Sequence, residues 1–279
     1  MKNTNMAVPA VLLSMISVQG GASIAKYLFP VLGPAGTSTL RIGLAGILLA
    51  IINRPDIRKF TRSEWFYCLG YGICLGLMNL VFYYGIQRVP LGLGVTVEFI
   101  GPLALAMITS RKVLDIVWAL LAALGILLIV PWESNGIDRV GLLLVFLAGV
   151  FWAGYIVMGR KVSQKMKGRD AVTVGMCMAA LMILPFGILS GNLVNLNFPL
   201  LMAGLGVAVF SSALPFSLDL VALKKMPAKT FSILQSLQPA FGALSGLLFL
   251  GEMLSFKQWL AISFVILASI GATVYSGKK

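Results

Sequence analysis

Apolar runs of about 20 residues recur along the chain, separated by short polar connections. A helix of that length spans the roughly 30 Å hydrocarbon core of a bilayer at about 1.5 Å per residue. Ten such runs can be delimited, over 7–27, 35–53, 64–87, 91–110, 114–131, 138–159, 171–190, 198–221, 228–250 and 256–276. Backbone polar groups inside lipid must be satisfied within their own segment, so each run predicts a helix. The pattern predicts an all-α polytopic membrane protein of ten transmembrane helices, with no sizeable soluble domain. The first run carries Gln19 and Lys26 toward its end. It is too long and too polar there for a cleaved signal peptide, and is read as a retained span.

Composition agrees with that reading. Of the 279 residues, 59% are hydrophobic and only 11% are charged, against roughly 25% charged in soluble domains. Such a chain is neither an ordinary soluble enzyme nor disordered. Lysine and arginine number 22 against 9 acids, a formal charge of +13. A basic excess raises nucleic acid as a partner, but here the basic residues are dispersed over the connections and none is expected. Sorted by alternate loops, 17 lie on one side, among them Arg54, Arg58, Lys59, Arg160, Lys161, Lys165, Lys167 and Arg169. Only Arg88, Arg139 and Lys257 lie on the other, which predicts cytoplasmic N- and C-termini. Lys26 and Arg41 fall inside spans. The chain has no histidine, so proton coupling would need a carboxylate. Cys68, Cys74 and Cys177 lie in apolar runs without metal-ligand spacing and read as small buried residues. Neither metal nor cofactor is expected.

The two halves echo each other. PLGLGVTVEFIGP (90–102) and PAKTFSILQSLQP (227–239) each begin and end with proline. A shift of 137 residues pairs Pro90 with Pro227, Glu98 with Gln235, and Pro102 with Pro239. Trp118 and Trp259 then open the last span of each half. This divides the chain into five-helix repeats at 1–135 and 136–279. An odd number of spans makes successive copies enter the membrane in opposite senses. Inverted repeats of this kind hold their site near the midplane between them.

The stretches QGGASIAKYLFP (19–30), TLRIGLAG (39–46), VPLGLGVTVEFIGPLALAMITSRKVLD (89–115), ALPFSLDLVALKKMPAKTF (213–231) and PAFGALSGLLFLGEML (239–254) carry a resemblance. Together they resemble the threonine/homoserine exporters, in the EamA-type branch of the drug/metabolite transporter superfamily. The resemblance covers nearly the whole chain. It implies ten helices, a bacterial inner-membrane location, and amino-acid efflux driven by inward proton movement. Asp219 departs from the pattern, standing where the longer glutamate is expected.

An ionisable residue inside a span is costly and marks a functional position by default. Seven of the nine acids fall in loops or at span ends and read as solvated or interfacial charge. Glu98 and Asp219 remain. Glu98 lies seven residues into span four, roughly 10 Å from its outer end. Pro102 follows at i+4 and has no N–H, so the Glu98 carbonyl loses its helical partner. Gln235 and Pro239 repeat the arrangement. Glu98 would bind substrate ammonium or the coupling proton; the alternative is a buried glutamate neutralised by Arg41 or Lys26. A zwitterionic amino acid needs a cation and an anion, which Arg41 or Lys26 together with Glu98 would supply. The same trio could instead form an outer gate, and Lys26 could simply snorkel. Asp219 lies about one turn from Lys224 and could pair with it.

Further polar and aromatic positions recur at helical spacing. They are Gln19, Ser23 and Lys26; Asn79, Tyr83 and Gln87; Trp152 and Tyr155; Ser212, Pro215 and Asp219; and Phe231, Gln235 and Gln238. Each reads either as lining of a substrate path or as packing glue between helices. Gly72, Gly76, Gly242 and Gly246 read as sites of close helix approach. The resulting expectation is an exporter of small amino acids, threonine or homoserine first, working by proton antiport and alternating access. Carriers of other metabolites or drugs, or a channel, are the alternatives. An enzyme is disfavoured, because no nucleophile constellation and no paired mid-membrane carboxylates are present. Beyond the substrate, the expected partners are protons and the lipid bilayer, with a homodimer among the compatible assemblies.

Overall fold

The structure is a computed structural model that describes residues 7–108, 138–227 and 234–274, together with 117, 118, 120, 121, 124, 125, 128 and 231. Among the described residues all regular structure is helical. Helix α1 spans Ala7–Lys26, α2 Phe29–Asn53, α3 Arg62–Ile86, α4 Leu91–Glu98 and α5 Ile100–Ile108. The second half holds α6 Arg139–Lys165, α7 Gly168–Leu189, α8 Phe198–Ala208, α9 Leu214–Lys225, α10 Gln238–Leu250 and α11 Phe256–Val274. A π-helical turn, Val209–Ala213, joins α8 to α9 without a gap. Six of these segments are long and apolar enough to cross a membrane: α1, α2, α3, α6, α7 and the continuous Phe198–Lys225. Leu91–Leu105, Gln238–Leu250 and Phe256–Ala268 are shorter apolar helices. Most of the predicted fifth span, 114–131, and the start of the ninth lie outside the described residues, as do Lys2, Arg111, Lys112, Lys229, Lys278 and Lys279.

Local sequence explains the limits. Gly33 sits at φ 64° and ψ 172° inside the segment counted as α2. That left-handed backbone suits glycine, and the following Pro34 also disfavours helical backbone at the residue before it. The regular part of α2 therefore starts at about the predicted 35. Thr61 and Glu64 form a reciprocal capping box at the start of α3. Asp138 caps α6 by accepting from the Val140 and Gly141 N–H groups. The Arg88 guanidinium, 2.6 Å away, holds the Asp138 carboxyl below the usual carboxylate range, and the two backbone N–H groups add to the effect. This pair ties the α3–α4 connection to the start of α6.

Helix pairs approach through small residues, as expected where lipid removes the hydrophobic incentive for helices to associate. Gly72 and Gly76 bring α3 onto α7, where an added Cβ at Gly72 would lie 2.8 Å from the Gly175 carbonyl oxygen. A Cβ at Gly101 would lie 1.8 Å from the Gly149 carbonyl oxygen, so α5 and α6 cross almost backbone to backbone. Gly242 faces Val95 across α10 and α4, whereas Gly246 is packed by the Glu252 carboxylate. Large apolar side chains such as Ile51, Leu181, Leu189, Phe198 and Leu248 point outward, the surface of a lipid-facing protein.

Buried apolar side chains form two separate clusters. One includes Val11, Leu75, Val162, Met166, Ala171 and Met226; the other includes Leu32, Ile86, Val89, Leu91 and Val145. Helix α1 contributes to both, through Val11 and Met15 at one end and Ala22 and Ala25 at the other. The polar interior lies between the clusters along α1.

Candidate functional site

A cavity of about 50 Å³ lies among α1, α2, α3, α4, α6, α9 and α10. It offers room for a few waters at about 10–15 Å³ each. Its lining includes Gln19, Arg41, Asn79, Glu98, Trp152, Tyr155, Asp219, Gln235 and Gln238. Met78, Phe82 and Phe216 supply apolar wall.

Glu98 reaches the cavity because its helix stops there. Helix α4 ends at Glu98, Phe99 is a turn, and α5 resumes at Ile100. Pro102 cannot donate to the Glu98 carbonyl. That oxygen sits against Gly149, where an added Cβ would lie 2.3 Å from it. The second half breaks at the register-equivalent place: Gln235–Leu237 is a 3-10 turn, followed by α10 with Pro239 in its first turn. Glu98 is 7% exposed, and Gln235 and Gln238 are buried as well. The Gln19 amide donates to Gln238 Oε1 at 2.5 Å, and the Gln238 amide donates to Gln235 Oε1 at 3.0 Å. Gln19 Oε1 accepts no hydrogen bond from the described residues.

Arg41 is 3% exposed. Its Nη1 donates to Tyr83 Oη at 2.5 Å and to Ser211 Oγ at 3.0 Å, and its Nη2 donates to Asn79 Oδ1. The guanidinium carbon stands 4.9 Å from the centroid of the Tyr83 ring, a favourable placement over an aromatic face. Its Nε is buried without a partner among the described residues. Every group holding Arg41 is neutral. Arg41 and Glu98 face the same cavity but form no ion pair. The Arg41 guanidinium and the Glu98 carboxyl thus share the lining of one small space without direct contact.

Other candidates fall elsewhere. Lys26 is not on this cavity: its Nζ pairs with Glu252 Oε1 at 2.6 Å, and Glu252 Oε2 accepts from the Leu91 N–H at 2.8 Å. The predicted trio of Lys26, Arg41 and Glu98 is therefore not assembled, and Glu252 is not a free interfacial charge. Asp219 pairs with Ser14 and Tyr155, not with Lys224, which is exposed. Gln87 lies just past the end of α3 and is exposed. Ser23 bonds back to the Gln19 carbonyl within α1, and Phe231 belongs to the apolar core. Ser212 is buried with an unpartnered hydroxyl, while its neighbour Ser211 reaches Arg41.

The sequence signature of the EamA-like transporter family matches residues 139–274. Threonine/homoserine exporter RhtA of Escherichia coli K12 is 40% identical over 270 residues, covering 96% of this chain and 91% of its own length. The protein of the same name from Salmonella typhimurium LT2 is 40% identical over 265 residues, covering 94% and 90%. The chain belongs to the EamA-like transporter family. Uncharacterized transporter YwfM of Bacillus subtilis is 25% identical over 247 residues, covering 83% of this chain and 81% of its own. A protein of known crystal structure shares the fold with a TM-score of 0.64 at 14% identity, covering 96% of this chain and 97% of its own.

This EamA-family protein is thus a multi-pass, all-helical membrane transporter of the RhtA type. Sequence reasoning missed three polar residues of its interior: Ser14, Ser211 and Glu252. Ser14 offered only a hydroxyl within the first apolar run, as Ser17 does. Glu252 carried no signal; the chain turns back at Gly251, φ 66°, and only the tertiary fold delivers it to Lys26.

Proposed function

We propose that this protein exports small amino acids, threonine and homoserine first, across a bacterial inner membrane in exchange for protons. The observation that carries this reading is the cavity where Arg41, held only by neutral partners, faces Glu98. A buried guanidinium without a counter-ion is expensive unless a charged ligand completes it. The carboxylate of an amino acid meets that need at Arg41, and its ammonium meets Glu98. The amides of Gln19, Asn79, Gln235 and Gln238 offer further polar contacts. The names of the relatives point to the same substrate class.

Proton and substrate ammonium compete for Glu98, so loading one expels the other. The transporter works by alternating access between inverted repeats at 1–135 and 136–279, with both termini in the cytoplasm. The packing supports this division, because the major helix pairs exchange into one another when the halves are swapped. The pairing of α3 with α6 corresponds to that of α9 with α1, and α3 on α7 corresponds to α8 on α2. The pairs α2–α7 and α4–α10 map onto themselves.

Counterflow of labelled threonine and homoserine in proteoliposomes tests the substrate class. Acidifying the face that corresponds to the cell exterior is expected to accelerate export. Export that persists unchanged when the gradient is collapsed would sink the antiport. Glu98→Gln is expected to abolish transport while the purified protein stays monodisperse. Wild-type rates in that variant remove Glu98 from the site.

A further inference from the structure

Asp219 is the second carboxylate on the cavity, and the competition at Glu98 leaves it unused. It is 4% exposed. Ser14 Oγ lies 2.6 Å from its Oδ1 and 3.2 Å from the Pro215 carbonyl oxygen, and the Tyr155 hydroxyl donates to its Oδ2 at 3.1 Å. Helix α9 packs on α1, α6, α7 and the π turn. Of the titratable groups on those elements, Tyr155 touches Asp219. Tyr71 on α3 stands behind Tyr155, with ring centroids 5.2 Å apart. On α1, Lys26 is engaged by Glu252; on α6, Arg160 donates to the Leu223 and Met226 carbonyl oxygens at the end of α9; at the start of α7, Arg169 and Asp170 pair with each other. Lys224 and Lys225 on α9 itself are exposed. Arg41 and Glu98 share the cavity, but no described cation forms an ion pair with Asp219.

The hydrogen-bond set closes in both charge states. With Asp219 ionised, Ser14 and Tyr155 each donate to it. With Asp219 protonated, its O–H donates to Ser14, Ser14 turns its own proton to the Pro215 carbonyl, and Tyr155 still donates. One hydroxyl rotation therefore accommodates one proton without leaving a donor unmet. The carboxyl also sits at a different depth from Glu98. It lies six residues before the end of α9, roughly 9 Å, whereas Glu98 lies roughly 10 Å from the opposite, outer end of its span. The adjoining π turn places a locally irregular helix beside it, a feature often found at functional sites.

We propose that Asp219 carries a second coupling proton, apart from the substrate contacts of Arg41 and Glu98. It takes a proton from water when the cavity faces outward and returns it to water when the cavity faces inward; no other bond changes. This rests on the antiport reading above.

The test is the substrate gradient that just halts net flux at zero membrane potential, measured in proteoliposomes against an imposed pH difference. Each coupled proton raises the limiting gradient about tenfold per pH unit, so two protons give about a hundredfold. Wild type is expected to show the two-proton slope. Asp219→Asn is expected to show the one-proton slope, about a tenfold smaller gradient at one pH unit, with threonine exchange at equal pH still measurable. Asp219→Glu keeps a carboxyl and is expected to keep the wild-type slope. A one-proton slope in wild type overturns the proposal without any variant. So does an unchanged slope in Asp219→Asn, or loss of exchange in that variant while Asp219→Glu still exchanges. If Asp219→Glu loses the slope together with Asp219→Asn, the effect belongs to geometry and the proposal also fails. Failure of the parent reading looks different: Glu98→Gln would then exchange threonine normally.

Discussion

In the proposed function, substrate recognition turns on Arg41. Its fork is spread over Asn79, Tyr83 and Ser211, three neutral acceptors on two other helices, and leaves Nε without a partner among the described residues. Lysine carries the same charge but presents a compact point donor that cannot span those acceptors. Hydrogen bonds to charged groups contribute about 1.5–3 kcal/mol each, so Arg41→Lys is expected to weaken threonine transport by about tenfold to a hundredfold. Concentration dependence in the proteoliposome assay measures it, and an unchanged KM would place the substrate carboxylate elsewhere. Arg41 and Glu98 were legible as candidates from sequence, since a charge in an apolar run announces itself. Lys26 was equally conspicuous, yet its partner lies 226 positions away in Glu252. Nothing in the local pattern separates a lysine that faces a cavity from one that latches the outer end of α1.

At the scale of elements, the breaks matter more than the helices. Glu98 is exposed to the cavity by the interruption between α4 and α5, and that interruption is fitted against Gly149 on α6. Gly149→Ala would drive a Cβ to 2.3 Å from the Glu98 carbonyl oxygen. Overpacking of that kind typically costs about 1–3 kcal/mol. A lowered melting midpoint in detergent, together with reduced transport, is the expected outcome; unaltered stability and rate would show that α6 yields there freely. Apolar runs located the six spanning segments found among the described residues, and the paired prolines marked the breaks. Periodicity failed where helices depart from 3.6 residues per turn. The face through Ser212, Pro215 and Asp219 was drawn on a regular helix. The segment Val209–Ala213 is instead a π turn, and Ser211 is its residue that meets Arg41. Gln87 failed for a simpler reason: α3 has ended at Ile86 and the face no longer continues.

For the whole molecule, the charge asymmetry makes a direct topological prediction. Lys167, between α6 and α7, belongs to the basic side; Asn195, between α7 and α8, belongs to the other, and both are exposed. With the three native cysteines replaced, a cysteine at 195 is expected to react with a membrane-impermeant maleimide in intact cells. A cysteine at 167 is expected to react only after permeabilisation. The opposite pattern would invert the orientation and, with it, the direction of transport assigned to the cavity.

The apolar runs, the loop charges and the isolated ionisable residues were all readable in one dimension. Each follows from transfer energetics, which act on a residue and its near neighbours: a span must be apolar, a loop charge must stay in water, and a buried charge must have a use. The arrangement of the polar interior was not readable. The joining of Asp219 to Ser14, Arg41 to Ser211, Gln19 to Gln238 and Lys26 to Glu252 bridges separations of 170 to 226 positions. Such partners are chosen by how helices from the two halves pack and where each helix is broken. Hydrogen-bond geometry is satisfied or lost within about an ångström, a tolerance no sequence spacing can resolve.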